Sequence, residues 1–143
     1  MRRLLGLILL CGAPVIAQDA KPLTELEQKF QGIWRGGYTI VIEGRTFCAD
    51  TQPGEWYEGD IIINPDADPP EFDFVIQVQS GQPNGNSSQG IYRWDGDTLI
   101  ISAPTPGEAR PKDFSRDPKR VLLHLTHDGD AQHPASHCLG ESK

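Results

Sequence analysis

The chain has 143 residues, 37% hydrophobic, 8% aromatic and 23% charged, with 20 acidic against 13 basic side chains and a net charge of −7. This length suits one domain that buries a core without metals or many cross-links, and leaves no room for a second. The acidic balance disfavours nucleic acid and anionic membrane surfaces as partners, because binding either depends on basic groups that displace counterions.

In chain order, residues 1–17 begin Met1-Arg2-Arg3, continue as an apolar stretch over residues 4–10 and end Val15-Ile16-Ala17. A basic start, an apolar middle and a small residue at the end predict a secretory signal peptide cleaved after Ala17. The stretch is too short to span about 30 Å of hydrocarbon and Pro14 interrupts it, which argues against a membrane anchor. Leu10 stands before Cys11 where a lipoprotein signal has a small residue. Residues 18–143 are then a single exported domain, periplasmic or extracellular, with no integral membrane segment and expected to act as a monomer. Loss of Arg2 and Arg3 takes the 13 basic residues to 11 against 20 acidic ones, a net charge near −9. Loss of Cys11 leaves Cys48 and Cys138, an even number in an oxidising compartment, and one disulfide between them is expected.

Thr24 can cap a short helix over residues 25–30, with Glu27 reaching back to it and Gly32 ending it. Strand composition follows around Trp34, and the Gly36-Gly37 pair allows a bend into residues 38–42. Gly44 leads to a third strand over residues 45–50, and Pro53-Gly54 to a fourth over 55–63. After a proline-rich loop at 64–70, Phe72, Phe74, Ile76 and Val78 alternate with Asp73, Val75, Gln77 and Gln79, a half-buried strand. Residues 80–88, rich in Gly, Asn and Ser, read as a flexible loop. Residues 90–101 read as a β-hairpin whose Asp95-Gly96 pair predicts a type I′ turn. Period-two alternation then places Tyr92 and Trp94 on one face with Leu99 and Ile101, and Arg93 and Ile100 on the other. A long connection at 104–119 precedes a last strand at 120–126. Eight strands joined to sequence neighbours, after one short helix, predict an all-β fold, an up-and-down antiparallel barrel; a two-sheet sandwich is the alternative.

Gly32-Ile33-Trp34, opening the first strand after a short helix, resembles the Gly-x-Trp signature of lipocalins. Further on stand Gly90-Ile91-Tyr92, Asp95-Gly96-Asp97-Thr98-Leu99, Arg110-Pro111-Lys112-Asp113-Phe114-Ser115 and Val121-Leu122-Leu123-His124-Leu125. In this order they resemble a lipocalin-like domain family described mainly from planctomycete bacteria, small, often exported proteins without an established activity. The resemblance covers residues 30–126 and implies a lipocalin-like barrel with Trp34 packed at a base closed by the helix. It implies a structural role for Arg110 or Arg116, stacking on Trp34 or bonding loop carbonyls at that base. The chain departs from the family at Gly36-Gly37, where members have a longer segment, and this bears on the shape of the barrel mouth.

The histidines do not make a metal site. His124 and His127, three apart on a strand, face opposite ways, whereas a shared zinc needs both nitrogens about 2 Å from one point. His133 and His137 have helical spacing, but Pro134 stands between them. Asp66, Asp68, Glu71 and Asp73 read as a solvated turn, since the Gly and spaced final Glu of a calcium loop are missing. Asn86-Ser87-Ser88 is formally a glycosylation acceptor. No motif pairs a nucleophile with a base, and no phosphate loop is present. The expectation is therefore a non-enzymatic protein without metal or cofactor. Its interior, lined by Phe72, Phe74, Ile76, Tyr92, Trp94 and Leu99, holds a small neutral apolar ligand that enters opposite the helix and touches Tyr92 or Trp94. The alternative is a barrel filled by those side chains, acting as an envelope interaction or inhibitor module through residues 79–89 and 104–120.

Overall fold

A computed structural model describes residues 21–128 and 137–139. The segment read as a signal peptide, Cys11 and His133 lie outside them. One helix, α1 (Glu25–Lys29), precedes nine strands: β1 (Gly32–Gly36), β2 (Tyr38–Glu43), β3 (Thr46–Gln52), β4 (Glu55–Asn64), β5 (Glu71–Gln79), β6 (Gln82–Pro83), β7 (Ser87–Asp95), β8 (Thr98–Pro104) and β9 (Arg120–His127). All pairings are antiparallel between neighbours along the chain, β9 pairs back to β1, and β5 carries both β6 and β7. The result is a closed eight-stranded up-and-down barrel with β6 as an extra strand beside β5.

The helix is five residues long, too short to hold in water by itself. Three contacts fix it. Thr24 Oγ1 accepts from the Glu27 amide while Glu27 Oε1 accepts from the Thr24 amide, a reciprocal cap. Arg45 donates to both Glu27 oxygens at 2.6 and 3.0 Å. Phe30, just past its end, is fully buried in the barrel. Gly32 is not a helix stop; it opens β1.

Side-chain size divides the interior into two halves. At the helix end, Phe30 packs on Phe72, Tyr92 and Trp94 with ring centres 5.1 to 5.5 Å apart. Trp34 lies 5.8 Å from Trp94 and donates its indole N–H to the Phe30 carbonyl at 2.8 Å. Lys29 closes the outside of this stack, its ammonium 4.0 Å from the Trp94 ring. The inward positions toward the other end mix large side chains with small ones, Ala49, Thr51, Ser88 and Ala103.

Three local readings are corrected. Asp95 pairs with Thr98, so the turn is centred on Gly96-Asp97, and only Gly96 takes positive φ, +59°. That is the pattern of a type II′ turn, which matches strand twist with a single left-handed residue. The 80–88 tract is largely wall: beyond β6, the Asn84 amide donates to Gln77 O and the Ile76 amide to Asn86 O, which carries the ladder into β7. Finally, Glu58 pairs with Val78 but Gly59 with Ile76, leaving Gln77 as the extra residue of a β-bulge. The bulge reverses the alternation, so Gln79 rather than Val78 faces inward. Gly59 allows it, because a Cβ there would run into the Val75 carbonyl.

The 105–119 connection lies along the outside of the barrel. Arg110 grips Asp73 with two nitrogens at 2.6 and 3.2 Å, donates to Gly90 O at 2.7 Å, and stands 3.1 Å from Glu71. Phe114 sits 5.2 Å from the Arg93 guanidinium. Ile91, Ile100 and Ser102, which leave the barrel on this face, are buried. The role foreseen for Arg110 at the base is thus displaced to the outer wall, and Arg116 is exposed. Two of the four clustered acids, Glu71 and Asp73, serve as its anchors. The physical reason is parity: Asp73 is an outward position of β5 and can meet only a group lying outside.

Candidate functional site

At the end opposite α1 the barrel holds a cavity of about 270 Å³. Its wall is mainly apolar, with Ile40, Phe47, Ala49, Phe74, Ile76 and Leu123 below and Pro104, Pro106 and Val121 toward the rim. β2, β3, β4, β5, β7, β8 and β9 all contribute. Ser88, buried, turns its hydroxyl away to the Pro104 carbonyl at 2.7 Å, so it adds no free polar group.

One side of the rim is polar. Glu55 opens β4, and its Oε1 accepts from Thr51 Oγ1 at 2.7 Å and from the Tyr57 hydroxyl at 3.0 Å; Oε2 accepts from Gln52 Nε2 at 2.6 Å. Gln79, turned inward by the bulge, donates to the Tyr57 oxygen at 3.2 Å and accepts from Asn84 Nδ2 at 2.8 Å. A chain of hydrogen bonds therefore runs from β3 through β4 and β5 to the residues after β6. The bonds from Thr51 and Gln52, more than that from Tyr57, hold the Glu55 carboxyl below its ordinary value against the opposing effect of burial. Burial first, then donation to Glu55 and the proximity of its charge, push the Tyr57 phenol up to about 12. Tyr38 is raised as well, by burial and then by the Glu55 charge.

Of the six side chains expected to contact a ligand, Phe74 and Ile76 stand on this wall. Phe72, Tyr92, Trp94 and Leu99 do not. They belong to the packed base, Phe72 and Leu99 without exposed surface, and a ligand entering opposite the helix does not reach Tyr92 or Trp94. The shared face of Tyr92, Trp94, Leu99 and Ile101 is as read, with Tyr92 opposite Ile101 and Trp94 opposite Leu99. What the alternation leaves out is height along the barrel, and these rings are low. Tyr38, Glu55 and Tyr57 were missed. Their signal was the period-two series Glu55, Tyr57, Gly59, Ile61 on β4, combined with the small inward residues Ala49, Ser88 and Ala103 across from it.

The Cys48–Cys138 disulfide joins β3 to the tail across 90 residues, with 5.5 Å between the Cα atoms. It lies outside the barrel. Beside it the His137 ring stacks on Trp56 at 3.6 Å and places Nε2 2.8 Å from Glu58 Oε1, and the Cys138 amide donates to Asp50 at 3.1 Å. Cys48, Glu58 and His137 cluster closely, yet the sulfur is committed to Cys138 and offers no thiolate. His124 is outward opposite Ile100, whereas His127 meets Trp34 at 5.1 Å, so these two do not converge.

A comparison of the chain with family models, with characterised proteins and with solved structures finds no match, so the functional reading rests on this geometry.

Proposed function

We propose that this is an exported, non-catalytic, lipocalin-like binding protein that holds one small, largely apolar molecule in the mouth of its barrel. The observation that carries the reading is the cavity of about 270 Å³ above a base packed solid with rings. An engineered apolar cavity of about 150 Å³ takes up benzene, and sites for drug-sized ligands run from about 300 to 1,000 Å³. A molecule of one ring with a short side chain fits between these limits. The acidic surface disfavours an anionic ligand.

The titratable groups support a binder over a catalyst. Among the described residues of the wall they are one carboxylate held ionised and two tyrosines raised away from neutrality, none poised to exchange a proton near pH 7. The basic, apolar and small-residue start of the chain supports export, and a disulfide suits an oxidising compartment. Among the described residues no helix is long and apolar enough to cross a membrane.

Native mass spectrometry of protein purified from its own host tests this reading, together with calorimetric titration of 2-phenylethanol. A bound small mass, or saturable binding, is expected for the natural chain and is weakened in Ala49→Leu, which takes up part of the cavity. If neither is seen, the binding role is abandoned for an interaction module acting through residues 79–89 and 104–120.

A further inference from the structure

We infer that the ligand is a small primary amine with an apolar body, its ammonium group held by Glu55 between the rings of Tyr38 and Tyr57. This rests on the proposed binding role and assigns it a chemical class. Among the described residues that line the cavity, Glu55 is the one side chain charged at neutral pH; no lysine, arginine or histidine stands on the wall. Its three bonding partners, a hydroxyl, an amide and a phenol, are all neutral donors. They orient the carboxylate and stabilise its charge without cancelling it. Each carboxylate oxygen has more than one acceptor direction, and Oε2 takes a single bond from Gln52, which leaves capacity for a further donor.

Two further features match an ammonium group. Tyr38 and Tyr57 line the same cavity, and both sense the Glu55 charge. Phenol rings beside a carboxylate attract a cation by their negative faces as well as by its charge. Below this rim the wall is apolar and suits a hydrocarbon body, so the site is divided lengthwise as an amphipathic amine is. The net negative charge that disfavours anions also raises the local concentration of cations. A bare hydrocarbon would leave the Glu55 charge at the mouth without a counter-ion, and a neutral alcohol would meet it as only one more weak donor.

Three probes of nearly equal shape separate the alternatives: 2-phenylethylamine, cationic at neutral pH, 2-phenylethanol, neutral, and 3-phenylpropanoate, anionic, titrated calorimetrically into the full mature chain at low salt. The amine is expected to bind about tenfold more tightly than the alcohol, because hydrogen bonds to charged groups outweigh neutral ones while solvent at the rim limits the gain. The anion is expected to bind most weakly. Glu55→Gln, which keeps the size of the side chain and an acceptor for Thr51 and Tyr57, should bring the amine to the affinity of the alcohol. The natural chain alone already decides the matter: equal binding of amine and alcohol overturns the amine assignment and leaves the binding role standing. An amine preference that survives in a folded Glu55→Gln variant, judged by its thermal melt, overturns the role of Glu55. Binding of none of the three overturns the assignment, and the binding role falls with it when native mass spectrometry also finds no bound mass.

Discussion

The two ends of the barrel are built from the same strands with the same alternation, and they differ in what fills them. At the base, Phe30 from outside the sheet enters among Trp34, Phe72, Tyr92 and Trp94 and closes the interior with ring contacts. At the mouth, Ala49, Thr51, Ser88 and Ala103 stand among the larger inward side chains, and about 270 Å³ remains open. Closing the sheet settles the edges of the strands; the size of the inward side chains decides whether the interior is a core or a site. Aromatic residues alone are thus a poor guide to the ligand in this chain. They pack the base and, at Tyr38, Phe47, Tyr57 and Phe74, also line the mouth, so it is the small residues among them that mark the part free to bind.

The largest effect should come from the base. Trp34→Ala removes a side chain 3% exposed and its bond to the Phe30 carbonyl. A loss of about 3 to 5 kcal/mol in urea denaturation is expected for such a truncation. A loss below about 1 kcal/mol would mean that the base is not the core.

Reduction of the disulfide comes next. Removing a native disulfide costs about 2 to 5 kcal/mol, and a span of 90 residues stands toward the upper end in the chain-entropy account. Because the bond lies outside the barrel, Cys48→Ser should lower stability and leave the affinity for 2-phenylethanol within about twofold, in keeping with the near independence of sites without shared partners. A matching loss of affinity would show that tail and mouth are coupled.

A smaller effect on stability, with a large one on binding, belongs to the mouth. Ala49→Leu puts its added carbons into open space, so the unfolding free energy should change by less than about 1 kcal/mol while binding weakens. A penalty comparable to that of Trp34→Ala would mean that the mouth is as tightly packed as the base.

The smallest effect is electrostatic and is read by alkaline titration of tyrosine absorbance. All three tyrosines are raised above 10, and Tyr57 to about 12. A raised value means that the folded chain holds the phenolic proton more tightly than the unfolded one. This contribution is therefore full below pH 10 and is lost as pH rises toward about 12. Glu55→Gln should lower the Tyr57 midpoint only in part, since burial is the first cause and the carboxylate the second. An unchanged midpoint would sever the link between the two groups.

Much of the frame was readable from residues. The alternation of Phe72, Phe74 and Ile76 predicted a half-buried strand, the glycine-bearing turn after Trp94 a reversal, and the even cysteine count the bridge from Cys48 to Cys138. The site was less readable, for two physical reasons. A single extra residue at Gln77 changes which side chains face inward beyond it, and its one mark in the sequence is Gly59 on the partner strand, which does not say which residue of β5 is the extra one. Strand stagger also sets the height of each ring, so that Phe74 and Phe72, two residues apart on one face, fall on the cavity and in the packed base respectively. Arg110 shows a third limit. Its long loop had no period to follow, and only the outward parity of Asp73 explains where it lands.

The most direct test of the contrast between base and mouth is a side-chain NMR titration with 2-phenylethanol, following methyl groups and the indole N–H signals together. Saturable shifts are predicted at the methyl groups of Ala49, Ile76, Ala103 and Leu123, with the indole signals of Trp34 and Trp94 unmoved. Shifts largest at Trp34 and Trp94, or no saturable shift at the four methyl-bearing residues, would contradict the account.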